Sequence, residues 1–278
     1  MGFRLANIDG RAALVDGLDY YDIESTSGGS MSPDPMAALT AKDRLHELAA
    51  GLSAKAPTGS TADVRFGAPV PSPRNCYAIG LNYRSHVEES GMDLPDVPLV
   101  FTKFPSCIVG PNDEVELRSE SADYEAELVV VIGSSGRDIA ADAAWDHILG
   151  VTVGQDISDR ALQFAAKPPH FDLGKSRDTY GPIGPVVVSP DLLDNQNGLP
   201  ITCDINGERR QDGNTSDLIF DVAAIVAYLS AITTLAAGDI IFTGTPDGVG
   251  ATQGKFLGPG DVITTTIEGV GTLVNRCR

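Results

Sequence analysis

Positive charge is scarce in this chain. Its 278 residues carry 20 Lys and Arg against 38 Asp and Glu, a formal net charge of −18 with a pI near 4.4. Affinity for phosphate backbones and anionic lipid needs clustered Lys and Arg, so nucleic acid and membrane are excluded as expected partners. An anionic substrate would need its positive charge concentrated at the site. Cysteine is also sparse: Cys76, Cys107, Cys203 and Cys277 are scattered with no C-x-x-C spacing, which reads as reduced thiols. No apolar run reaches the length of a membrane span, and the opening MGFRLANIDGRAALV has no apolar core of a secretory signal. Ala6 stands where a myristoylation signal wants Ser or Thr. The expectation is a soluble, cytoplasmic protein. Two nucleotide motifs are missing as well. Gly254-Lys255 is followed by Phe256, so there is no P-loop, and with Gln253 in place no dinucleotide fingerprint forms.

What is present reads as two unequal parts, residues 1–72 and 73–278. The first has short alternating strands at Phe3–Ile8, Ala12–Val15 and Asp19–Asp22, separated by Asp9-Gly10 and Asp16-Gly17 turns. A helical stretch from Asp34 to about Leu52 follows, then a Pro/Gly/Ser/Thr-rich passage, 56–72, that reads as a linker. The second part carries the chemistry. Later landmarks are a hairpin around Asn206-Gly207 and an amphipathic helix over 221–236 with its stripe at Val222, Ile225, Val226, Leu229 and Ile232.

The most telling stretch is Asp123 to Gly133, DYEAELVVVIG. Read as a strand, it places Glu125 and Glu127 on one face that continues into Val129 and Val131. Two carboxylates running into a doubly buried strand need a cation or a proton, and Mg2+, Mn2+ or Ca2+ suits oxygen ligands. A solvated strand end, or pairing with Lys or Arg, answers the pattern equally. Asp156 follows the apolar run Ile148–Val153 where a strand exits into a helix, and Arg160 and Gln163 share a face of that helix. Ser85 with Glu88 reads as a capping box that opens a very short helix stopped by Gly91. His86 and Glu89 lie three apart on it, a candidate general-base pair on a segment able to move as a lid. The Gly/Pro run from Gly181 to Pro185 reads as a shaped loop before a strand at Val186–Ser189, and FTGTPDGVG as a strand entering a Gly-rich turn.

Taken in order, GLNYRSHVEE, FTKFPS with GPNDEVEL, DYEAELVVVIG, GQDISDRALQ, GKSRDTYGPIGP, FTGTPDGVG and PGDVITTTIEGVGTLVN resemble the fumarylacetoacetate hydrolase family over roughly 73–278. The resemblance implies an α+β, mainly β fold: a mixed β-roll or sandwich catalytic domain with a small N-terminal α/β domain, usually homodimeric. It implies Glu125, Glu127 and Asp156 as ligands of Mg2+, with Mn2+ or Ca2+ as alternatives, and His86 with Glu89 as a water-activating dyad. Lys175 would stabilise developing enolate charge, and Arg160 and Gln163 would hold substrate. Lys103 and the backbone of Gly244 and Thr245 are lesser candidates for substrate contact. The chain departs from the family at Ala161, where an acidic residue is usual.

The reaction implied is hydrolysis of acylpyruvates, 2,4-dioxo acids such as fumarylpyruvate-like compounds, to pyruvate and a carboxylic acid. A small anionic 2-oxo acid is thus the expected partner. The same enolate chemistry serves isomerases, oxaloacetate decarboxylases and hydratases of related 2-oxo acids. A catalytically silent metal- or metabolite-binding protein would need neither the His86/Glu89 pair nor Lys175.

Overall fold

The computed structural model describes residues 1–278. The strands are β1 (Arg4–Ile8), β2 (Arg11–Asp16), β3 (Asp19–Asp22), β4 (Cys76–Gly80), β5 (Leu99–Lys103), β6 (Ala126–Ile132) and β7 (Ile148–Gln155). They continue as β8 (Gly181–Val188), β9 (Pro200–Ile205), β10 (Glu208–Asn214), β11 (Ile240–Phe242), β12 (Val262–Ile267) and β13 (Gly271–Arg276). The helices that matter are α1 (Lys42–Ala50), α2 (Arg84–Ser90), α3 (Arg160–Gln163), α4 (Phe171–Gly174), α5 (Val222–Ile232) and α6 (Gly250–Gln253). The fold is α+β and mainly β, as expected.

One large mixed sheet runs β3-β2-β1-β8-β7-β6-β11-β4-β5, extended by short pairings of residues 59–60, 66–67 and 108–109. A second, four-stranded sheet, β10-β9-β12-β13, packs against it. Every residue of β6 is buried, because the large sheet is covered on both sides. Leu128, Val130 and Ile132 point into a core shared with Ile201, Ile263, Leu273 and the α5 residues Val222, Ile225 and Leu229. Val129 and Val131 point the other way, into a core shared with Phe3, Leu5, Leu14 and Leu45 of the N-terminal segment. Each such side chain contributes about 1.5–3 kcal/mol of burial.

The segment 1–72 therefore shares both sheet and core with the rest: β1 pairs with β8 at Arg4↔Val188, Leu5↔Val187 and Ala6↔Val186. The stretch read as a linker is tied in too, with Gly59–Ser60 on β3 and Phe66–Gly67 on β1. The Asp-Gly turns and the Asn206-Gly207 hairpin form as expected, with Asn206 and Gly207 both left-handed. Three expectations are corrected. The Gly/Pro run at 181–185 is itself strand, the first half of β8, paired to Ile108–Val109 and to a bulged stretch of β7 where a missing proline N–H breaks little. Helix α5 stops at Ile232, which is 65% exposed and lies outside the buried stripe. The expected capping box is absent: Tyr83 is the N-cap of α2, and the Ser85 N–H donates to the Asp217 carboxylate instead.

Candidate active site

The acidic strand is interrupted, and the interruption builds the site. Residues 122–123 pair with 158–159, the strand pairing lapses at Tyr124-Glu125, and β6 begins at Ala126 opposite Gln155. Glu125 thus lies beside Asp156, whose N–H donates to the Glu125 carbonyl at 2.9 Å. Gln155 fills the gap in the ladder: its Oε1 accepts the Glu125 N–H at 3.0 Å while its Nε2 donates to Thr265 at 2.8 Å. Glu127 pairs across to Gly154, so the start of β6 and the end of β7 bring three buried carboxylates together. Glu125, Glu127 and Asp156 each offer an oxygen, and these lie within 4.8 Å of one another.

Cations surround the cluster unevenly. Lys175 Nζ donates to Glu125 at 2.6 Å, to Asp156 at 2.7 Å and to Ser158 Oγ at 2.8 Å. Arg160 Nη2 donates to Glu125 at 2.6 Å, its Nε to Asp123 at 2.8 Å and its Nη1 to Gln163 at 2.9 Å. Lys103, fully buried, donates to Asp156 at 2.6 Å and to the carbonyls of Tyr180 and Lys175. Glu127 has no Lys, Arg or His nitrogen within salt-bridge distance and accepts from the Gly244 N–H at 2.7 Å. Four carboxylates, counting Asp123, thus face three cations. Burial, and then the charges of Asp156 and Glu125, push the Glu127 carboxyl well above its usual range. Glu125 moves the other way: burial alone would raise it, but Lys175 and Arg160 hold it low. One surplus negative charge among converging carboxylate oxygens is a donor set that suits a hard divalent cation.

His86 and Glu89 both lie on α2, but they are not hydrogen-bonded to each other. The Glu89 carboxylate accepts from the Gly248 N–H and the Thr252 hydroxyl, fastening α2 to the 248–252 segment. The His86 ring lines the cavity, and its buried Nδ1 has no partner. Burial lowers the His86 pKa, with Glu125 and Glu89 opposing, so the ring is neutral at pH 7. Gly91, left-handed at φ 65°, ends α2 as its sequence position suggested.

The lesser substrate-contact candidates, Lys103, Gly244 and Thr245, do not line the cavity. Lys103 spends all three ammonium hydrogens beneath Asp156 and reaches no cavity. Gly244 donates to Glu127, and Thr245 donates to the Ala126 carbonyl while accepting from Gln211. Lys103 and Gly244 bond the carboxylates directly, and Thr245 bonds the backbone of the strand that carries them. Two contributors escaped sequence reading. Asp123 is fully buried and grips Arg160 together with the N–H groups of Gly250 and Ala251. Its alternation with Glu125 and Glu127 was the available signal. Ser158, which reads as a helix cap, bonds Lys175, while Asp159 is the actual N-cap of α3 and also pairs with Arg177 at 2.7 Å.

The cavity over this cluster has a volume of about 140 Å3. Its floor is Glu125, Arg160, Gln163 and Lys175, and its walls include Phe101, Phe171 and Val249. Residues 75–278 match the model of the fumarylacetoacetate (FAA) hydrolase C-terminal family. The chain belongs to the fumarylacetoacetate hydrolase family. Among relatives of this family, it is 45% identical over 225 residues to oxaloacetate tautomerase YisK of Bacillus subtilis (strain 168), covering 78% of this chain and 74% of that one. It is 40% identical over 229 residues to the mitochondrial oxaloacetate tautomerase FAHD2A of Homo sapiens, covering 81% and 73%. The crystal structure of maleylpyruvate hydrolase from Sphingobium sp. SYK-6, in complex with manganese(II) and pyruvate, superposes with a TM-score of 0.82 at 30% identity, covering 99% of this chain and 98% of that one.

Proposed function

We propose that this member of the fumarylacetoacetate hydrolase family is a divalent-metal-dependent enzyme that interconverts the keto and enol forms of oxaloacetate-class 2-oxo acids, with Mg2+ as the working ion and Mn2+ or Ca2+ as substitutes. Glu125, Glu127 and Asp156 would hold the ion. The observation that carries the reading is one small cavity lined by Lys175, a neutral, unpartnered His86 and Glu125, the last of which belongs to a cluster of three buried carboxylates. When bound, the ion supplies positive charge that polarises the 2-oxo group and acidifies the neighbouring C–H. His86, kept neutral by burial, takes the C3 proton. Lys175, on the cavity lining and bonded to Glu125 and Asp156, supplies fixed positive charge near the oxygen on which charge develops. Arg160 and Gln163, bonded to each other and both lining the cavity, would hold a substrate carboxylate. The apolar walls keep out water that would compete for the proton.

Hydrolysis of acylpyruvates is the second reading, favoured by the likeness to maleylpyruvate hydrolase with its bound manganese(II) and pyruvate. It asks His86 and Glu89 to activate a water together, whereas the Glu89 carboxylate is engaged by Gly248 and Thr252. Tautomerisation needs only a proton acceptor, and the tautomerase relatives share more of the sequence. The test follows the enol absorbance of oxaloacetate with the Mg2+-loaded protein. Fast equilibration without pyruvate release, lost in EDTA and restored by Mg2+, is the expected result. Pyruvate release from an acylpyruvate, with oxaloacetate untouched, would make the enzyme a hydrolase. A rate undiminished in EDTA would remove the metal from the mechanism.

A further inference from the structure

We propose that the same site also enolises 2-oxo acids whose C3 carries an apolar group, the arylpyruvate class; the proposal rests on the tautomerase reading above. The cavity is divided by chemistry. Its ionic floor gives way directly to an apolar wall: the Phe101 ring lies 5.2 Å from the Lys175 ammonium, and Phe171 meets Phe101 edge-on at 5.5 Å. Val249 continues the wall, and Met92 and Phe164, each 52% exposed, rim the mouth. Large apolar side chains left exposed around a concave site mark a surface that a ligand covers.

The cationic residues lining the cavity are Arg160 and Lys175, while the His86 ring beside them is neutral. Lys175 has all three hydrogens engaged by Glu125, Asp156 and Ser158, and Arg160 is engaged by Asp123, Glu125 and Gln163. A second carboxylate at the far end of a substrate therefore meets no cation on the wall and has to point out through the mouth. An aromatic or branched alkyl group at that position is instead buried against Met92, Phe164 and Phe171. The reaction needs no co-reactant. The C3–H bond breaks, its electron pair becomes the C2–C3 double bond, and the C2–O double-bond pair becomes an oxygen lone pair. The proton taken by His86 then returns to that oxygen.

The experiment compares phenylpyruvate with oxaloacetate on the Mg2+-loaded protein by enol absorbance, for the wild type, Met92→Ser and Phe164→Ser. Both substituted positions lie at the exposed rim, so folding is preserved. In parallel, calorimetry measures binding of trimethylpyruvate, which has an apolar group but no C3 hydrogen to lose. The expected result is phenylpyruvate turnover within about tenfold of oxaloacetate. In both variants the phenylpyruvate-to-oxaloacetate ratio of kcat/KM falls by about tenfold, and trimethylpyruvate binding weakens in step. Oxaloacetate turnover with phenylpyruvate at the buffer rate overturns this inference and leaves the tautomerase reading standing. Turnover of both with an unchanged ratio in the variants also overturns it, because the wall would not be reading the substituent. Turnover of neither removes both.

Discussion

At the scale of single residues, the reaction turns on two groups that burial shifts in opposite senses. His86 is lowered, so its neutral form is present at pH 7 and is lost only below its ordinary value near 6.5. The pH profile of kcat/KM is expected to rise through an inflection below 6.5 and stay level above it. His86→Ala is expected to lower kcat by about 10²- to 10⁴-fold. An inflection well above pH 7 would mean that another group is the base. Glu127 is raised because burial and two neighbouring carboxylates oppose its ionisation. Part of this was legible from residues 123–133: carboxylates two apart, running into Val129 and Val131, mark a strand end whose charge a cation, a proton, water or Lys and Arg must answer. The supporting roles were not. Lys103 reads as a substrate contact because a lysine in a family motif has no visible partner in the sequence. Only the fold shows Asp156 and two carbonyls consuming its hydrogens. Asp123 belonged to the same alternation, but its partner Arg160 lies 37 residues away.

At the scale of elements, α2 and the 248–252 segment act as one unit. Glu89 joins them through Gly248 and Thr252, and Asp123 holds the far side of that segment through Gly250 and Ala251. Glu89→Ala is expected to loosen α2 and misplace His86, lowering kcat/KM by about tenfold or more. The rise in Tm on adding metal should stay intact, because no metal ligand is touched. Equal losses in metal response and activity would place Glu89 in the metal site instead. The position of α2 followed from its Gly91 stop, but its cap did not. A capping box needs only local spacing, and here Asp217, far along the chain, takes the Ser85 N–H first. The Gly181–Pro185 run shows the same limit. Its composition reads as loop, yet the prolines fall where β8 can spare their N–H groups.

At the scale of the whole molecule, the two cores lie back to back across the large sheet, and the N-terminal segment supplies much of one of them. The composition change near residue 72 marks where the chemistry begins, while the sheet runs straight through. Residues 73–278 alone would bare one edge of β8 and the apolar face carrying Val129, Val131 and Phe242. That truncated chain is expected to lose cooperative thermal unfolding and aggregate; a sharp transition near the full-length Tm would show that the segment is dispensable. In the intact chain, an ion bound at about 100 times its Kd should add about 2.7 kcal/mol and raise Tm by several degrees. The most direct measurement is a calorimetric titration of the full-length protein with Mn2+, beside Glu127→Gln, which keeps the side-chain shape and removes the surplus charge. The account predicts one ion per chain for the wild type, with binding weakened at least tenfold in the variant and its metal-free Tm equal or higher. Equal Mn2+ affinity in the two proteins, or no binding to the wild type, would contradict it.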